Sequence, residues 1–146
     1  HRMYYVTTKD FKIFSDTKLY YEPGFSVIDC VIVKKGKKDY VLVLKDNTRP
    51  MRNIKVAFGK SPLGPFEKIS EPLTAYLSEG PTVVKVGKNW LLYYDNYGSK
   101  NYKALSTSDF VHFEDVSSKI SLPEGHKHGT ITTISSAVLK GLIEKK

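Results

Sequence analysis

The sequence predicts an all-β chain built as a partial β-propeller, with about two and a half to three four-stranded antiparallel blades followed by a short C-terminal helix. Three observations carry this reading. Short runs rich in β-branched and aromatic residues recur in groups. A turn bearing a phenylalanine ends each group, at Phe14, Phe66 and Phe113. Equivalent points of successive groups lie roughly fifty residues apart, the length of a propeller blade. A β-sandwich with coincidental spacing is the competing architecture.

In chain order, Met3-Tyr4-Tyr5-Val6-Thr7-Thr8 reads as a strand, and Thr8 to Asp16 as a turn feeding a second one, so residues 3–16 supply the outer strands of one blade. Val31 to Val33, a turn at Gly36, Tyr40 to Asp46, Ile54 to Phe58 and the turn Gly59 to Glu67 make a whole blade over 28–69. The pattern repeats over 82–116, with Thr82 to Val86, Gly87, Trp90 to Asp95, Tyr102 to Ser106 and the turn Ser106 to Asp115. His128 to Ile134 reads as the inner strand of the next blade, residues 128–134. In the tail, 135–146, serines stand where they cap a short helix with an apolar face, which Gly141 weakens. Fewer than three blades leave unpaired edges, so the ring is expected to be completed by missing upstream blades or by a second copy of the chain.

The 146 residues, 40% hydrophobic and 26% charged, suit one domain with a real core. No apolar stretch reaches membrane-spanning length, which argues against a membrane partner. Cys30 has no second cysteine to pair with and is expected to be an inert core thiol. A net charge of +8 raises the question of nucleic acid. The lysines are dispersed, however, and the densest group, Lys34, Lys35, Lys37 and Lys38, brackets Gly36 as a solvated hairpin tip. No nucleic-acid partner is therefore expected.

The candidate chemistry lies at the strand openings. Glu79, stiffened by Gly80-Pro81, heads the run Thr82 to Val86; Asp29 heads an apolar run fifty residues earlier; His128 opens another forty-nine residues later. In a propeller the first strand of each blade lines the axis, so these three groups are expected to converge on one funnel. A carboxylate beside another in a partly desolvated pocket takes up a proton more readily, which suits a general acid protonating a leaving-group oxygen. An ordinary turn acid at Glu79 and a solvated histidine at His128 are the plainer alternatives. Asp46 and Arg49, on the polar loop after a strand, can pair with each other or reach sugar hydroxyls. Phe25 and Tyr97 can offer stacking faces for a sugar ring.

The segments Phe25-Ser26-Val27-Ile28-Asp29, Glu79-Gly80-Pro81 and His128-Gly129-Thr130, in that order and one blade apart, resemble the C-terminal part of glycoside hydrolase family 43, whose relatives are five-bladed propellers. The resemblance covers nearly the whole chain. It implies inversion at arabinofuranosides or xylosides of plant-derived oligo- or polysaccharides. Glu79 matches the general acid, and Asp29 the aspartate that raises its pKa and orients it. His128 matches the axial histidine that helps hold calcium through water. The general base of the family belongs to the first blade and has no match here, so these residues alone are expected to hydrolyse poorly or not at all. A secreted or periplasmic location is the expectation, with no signal segment visible. A noncatalytic carbohydrate-binding propeller and an interaction module completed by a second chain are the alternatives.

Overall fold

The computed structural model describes residues 1–123 and 125–144. Among the described residues the chain is all-β, as predicted, with one short α-helix and a single 3₁₀ turn at Ser117–Lys119. The strands are β1 (Met3–Tyr5), β2 (Lys18–Tyr21), β3 (Val27–Gly36), β4 (Asp39–Asp46), β5 (Asn53–Gly59), β6 (Phe66–Glu67), β7 (Ser78–Val86), β8 (Asn89–Asn96), β9 (Asn101–Thr107) and β10 (Glu114–Asp115), and the helix is α1 (Ser136–Ile143). They form two four-stranded sheets, β3-β4-β5-β6 and β7-β8-β9-β10, and the pair β1-β2. Every pairing is antiparallel. Each full sheet runs in chain order from its first strand outward, the up-and-down order of a propeller blade, and no barrel closes.

The apolar pattern of each middle strand records its neighbours. In β4 the run Val41-Leu42-Val43-Leu44 is wholly buried on both faces. Val41 and Val43 pack with Ile54, Val56, Leu92, Tyr94, Leu105 and Phe110, joining the two full blades. Leu42 and Leu44 pack with Met3, Tyr21, Val27, Ala57 and Phe66, joining the same blade to the β1-β2 piece. A strand covered on both sides reads as a continuous hydrophobic run, as here. In β8, by contrast, buried and half-buried residues alternate from Leu91 to Tyr94.

Three expectations are corrected. Residues 128–134 form no strand; a lone inner strand has no neighbouring blade strand to complete its ladder, and the segment meets β7 through side chains, the Ile131 N–H donating to Thr82 Oγ1 and His128 Nε2 lying 3.0 Å from Glu79 Oε1. In the first group, β1 pairs with Lys18–Tyr21, while Phe14 makes only an isolated bridge to Thr8. Cys30 is exposed rather than in the core. The helix is capped as expected, Ser135 accepting from the Val138 N–H; of the expected tail, 145–146 lie outside the described residues. No helix among the described residues is long and apolar enough to cross a membrane.

Both inner strands break their ladders near their first residues, β3 shifting a second time between Lys34 and Gly36. In β3 the pairing Ile28 with Lys45 jumps to Val31 with Val43; in β7, Glu79 with Asp95 jumps to Thr82 with Tyr93. The looped-out residues are Asp29-Cys30 and Gly80-Pro81, with φ of +49° at Asp29 and +55° at Gly80. Such bulges at a sheet end re-aim side chains. By ladder position Asp29 therefore corresponds to Gly80, and Glu79 to Ile28, so the regular spacing seen in the sequence does not place the two acids at the same register point.

Because Leu92 is fully buried where the two full blades meet, Leu92→Ala is expected to destabilise the chain by about 2–5 kcal/mol. Val86→Ala, at an exposed strand end, is expected to change stability by less than about 0.5 kcal/mol. Urea unfolding of the two variants beside the parent chain checks both.

Candidate active site

The bulges bring together groups from three segments. Asp29, Glu79 and His128 each present a ligand-type atom, and these atoms lie within 4.8 Å of one another. His128 Nε2 stands 3.0 Å from Glu79 Oε1. The Gly80 N–H donates to Asp29 Oδ2 at 3.2 Å, so the looped-out acid of one blade is held by the looped-out backbone of the next. Gly80 is required here twice over. Its φ is positive, and a Cβ would come within 2.9 Å of the His128 ring, which lies against it. Pro81 is buried beneath, and a shallow groove of about 440 Å³ runs past Asp29, Gly80, Pro81, His128 and Thr130.

Lys45 completes the cluster, and sequence reasoning missed it. It follows the buried run of β4, and its side chain is 3% exposed. Its Nζ donates to Glu79 Oε2 at 2.6 Å and stands 5.3 Å from the centre of the Tyr97 ring. The available signal was a lysine directly after four consecutive apolar residues, where the strand is still covered on both sides. Glu79 thus has both oxygens engaged, one by an ammonium from the neighbouring blade and one by an imidazole.

The charge state that results differs from the expectation of a raised pKa. Burial pushes the Glu79 carboxyl up, but hydrogen bonds from Lys45 and His128, with the charges behind them, pull it further down, and it lies below its ordinary value. The bonds from Lys45 and His128 outweigh the burial.

Of the expected sugar contacts, Tyr97 joins this cluster and the others do not. Asp46 pairs with Lys55 at 2.9 Å and accepts from the Thr48 N–H, rather than meeting Arg49. Burial raises the Asp46 carboxyl, yet the bonds from Lys55 and Thr48 bring it below the usual range. Lys55 lies 4.8 Å from the centre of the Phe25 ring, and Phe25 packs on the core shared with β1-β2. Phe25 and Asp46 therefore belong to the opposite face of β4 from Lys45. Arg49 is exposed on the loop and forms no ion pair among the described residues.

A larger hollow, about 530 Å³, lies far along the chain on the Thr7 to Ser15 turn. Its acid, Asp10, accepts from the Lys12 and Ile13 N–H groups, which is turn architecture rather than a site.

Among comparisons with known proteins, the model of a family described as "Probable glycosyl hydrolase domain", related to glycoside hydrolase family 43, matches residues 1–139. No curated protein and no solved structure matches the chain.

Replacing Lys45 by Met is expected to raise the Glu79 pKa, read by carbon-13 carboxyl NMR across a pH titration. A carboxyl whose folded pKa lies below its unfolded one stabilises the fold above the unfolded value and loses that contribution as pH falls through the folded one. The stabilities of the parent and K45M chains are therefore expected to converge on acidification below the ordinary Glu value of 4.5.

Proposed function

The chain belongs to the family of probable glycosyl hydrolase domains related to glycoside hydrolase family 43, and from that premise we propose that it carries the acid half of an inverting glycosidase site. Glu79 is the general acid and Asp29 the carboxylate that positions it. The substrates are arabinofuranosides or xylosides of plant-derived oligo- or polysaccharides, met in a secreted or periplasmic setting. The observation that carries this reading is the Asp29, Glu79 and His128 cluster at two matching bulges, with Asp29 and His128 lining the groove.

In the reaction, the proton of Glu79 goes to the glycosidic oxygen as the bond to the anomeric carbon breaks, while a base carried outside these residues activates the attacking water. The Gly80 N–H on Asp29 and the His128 ring against Gly80 hold the two acids at a fixed separation. Tyr97, beside Lys45, offers the ring face on which a sugar can rest. Both Glu79 oxygens are engaged by cations or donors, so protonation requires one of them to yield. Lys45 on Oε2 is the stronger hold. Activity is therefore expected to favour the acidic side of neutrality, where the protonated fraction of Glu79 is larger.

The family also implies calcium. Two carboxylates and one imidazole lie within 4.8 Å of one another. Calcium takes oxygen ligands, so His128 would serve it through water, and the ion would supply fixed positive charge at the axis. No proton transfer is assigned to it.

One observation favours a second reading, the noncatalytic carbohydrate-binding propeller: Glu79 is held as a carboxylate by Lys45 and His128. A binder needs such a fixed acceptor for sugar hydroxyls, whereas an acid needs a proton.

In the complete protein, Glu79→Gln separates the two. A general acid predicts a loss of about 10²–10⁴-fold in kcat on an unactivated xyloside or arabinofuranoside. It also predicts a much smaller loss on an aryl glycoside whose leaving group departs without a proton. A binder predicts no hydrolysis by the parent protein and weakened oligosaccharide binding in the variant, read by calorimetry.

A further inference from the structure

The cations carried by β4, β5 and the loop between them are not equally occupied. Lys45 is matched by Glu79 at 2.6 Å and Lys55 by Asp46 at 2.9 Å. Arg52, on the loop between β4 and β5, has no carboxylate partner among the described residues. Its side chain is half-buried, and its Nε is buried with no hydrogen-bond partner. The one side-chain contact it makes is from Nη1 to the Tyr97 hydroxyl, at 3.4 Å. A guanidinium offers five donors in a fixed plane; the buried Nε is out of a ligand's reach, so the donors open to a planar acceptor are those of Nη1 and Nη2.

The loop that carries Arg52 is held firmly. The Arg52 N–H donates to the Thr48 carbonyl at 3.2 Å, and its own carbonyl accepts from the Ser78 N–H at 2.9 Å. The Met51 carbonyl likewise accepts from the Leu77 N–H at 2.9 Å. Arg52 is thus bonded to the residue that immediately precedes Glu79. Tyr97 links the two groups, its hydroxyl on Arg52 and its ring beside Lys45, which is itself on Glu79. Arg52 and the proposed acid are thus joined through Tyr97 and Lys45.

We propose that Arg52 is a subsite for an acidic sugar, taking the carboxylate of a uronic acid carried on the oligosaccharide while the adjoining neutral residue lies at Tyr97 and Glu79. This rests on the glycosidase reading above and narrows its substrate class from neutral to acid-bearing plant oligosaccharides. A planar carboxylate matches the planar fork of a guanidinium through two parallel bonds, a fit that Lys45 and Lys55, each already paired, do not offer. Exposed Arg49, on the same loop, adds positive potential that draws an acidic chain toward the rim. A sulfate ester shares the negative charge but not the planar carboxylate, and the test below separates the two.

The experiment compares the complete protein with R52Q and R52K variants by calorimetry, using a glucuronic-acid-bearing xylo-oligosaccharide, the same oligosaccharide without the acid, and inorganic sulfate. The parent is expected to bind the acidic oligosaccharide about tenfold or more tightly than the neutral one, the scale of one charge-assisted contact. In R52Q this ratio is expected to collapse toward one; R52K, which keeps the charge without the fork, is expected to retain part of it. Equal affinity of the parent for the two oligosaccharides, or a preference that survives in R52Q, overturns the inference and leaves the glycosidase reading standing. Sulfate bound through Arg52 as tightly as the acidic oligosaccharide overturns the sugar assignment. Binding of neither oligosaccharide overturns both the glycosidase reading and this one.

Discussion

Strand β4 is the member on which the arrangement depends, because it is covered on both faces and ends in a buried cation. Its alternate residues belong to two different cores, so the middle strand of one blade fixes the positions of both its neighbours. At its end the apolar run gives way to Lys45, whose ammonium cannot remain buried without an anion. Glu79 of the adjacent blade supplies it. The apolar contact sets how closely the blades approach, and the ion pair sets which side chains face each other at the groove end. One strand therefore couples folding to the geometry of the site.

The matching bulges do the complementary work on the inner strands. A regular ladder would send successive side chains to alternate faces of the sheet. Looping out Asp29-Cys30 and Gly80-Pro81 breaks that alternation at the same ladder position in both blades. The freed Gly80 N–H then finds Asp29, and the absence of a side chain at Gly80 lets the His128 ring lie against the backbone. The two bulges thereby bring together three ionisable groups that regular strand geometry does not.

Much of this was legible in the sequence because a propeller blade repeats its pattern. The period, the Phe-bearing turns and the uninterrupted run Val41 to Leu44 are properties of chain order, and the fold follows from them. The convergence of Asp29, Glu79 and His128 was legible too, but for a reason that is only approximately right: counting residues treats a bulge as if it were ladder, so Asp29 and Glu79 seemed equivalent when they are one position apart. Lys45 went unread because a lysine near a strand end ordinarily reaches solvent, and only the neighbouring blade determines that it does not. The inner strand expected at 128–134 failed for a related reason, since a β-branched run in phase with the repeat reports a capacity to pair and not the presence of a partner. Asp46 was read as a sugar contact from the polar loop after a strand end and Phe25 from its aromatic face, but strand alternation turns Asp46 toward Lys55, and Phe25 packs on the core shared with β1-β2.

The pair of Lys45 with Glu79 also bears on how a site of this kind can work. A carboxylate that serves only to bind gains from a permanent cation, because its charge and direction are then fixed at every pH near neutral. A carboxylate that must deliver a proton is opposed by the same cation, which stabilises the form without the proton. The two demands are compatible only if the cation is present while the site is empty and withdrawn or shared when the substrate arrives. The Lys45 ammonium, 5.3 Å from the centre of the Tyr97 ring, has an aromatic face beside it as well as the carboxylate. For the glycosidase reading proposed above, the bond from Lys45 is therefore the interaction that substrate binding has to loosen before Glu79 can take up a proton from solvent.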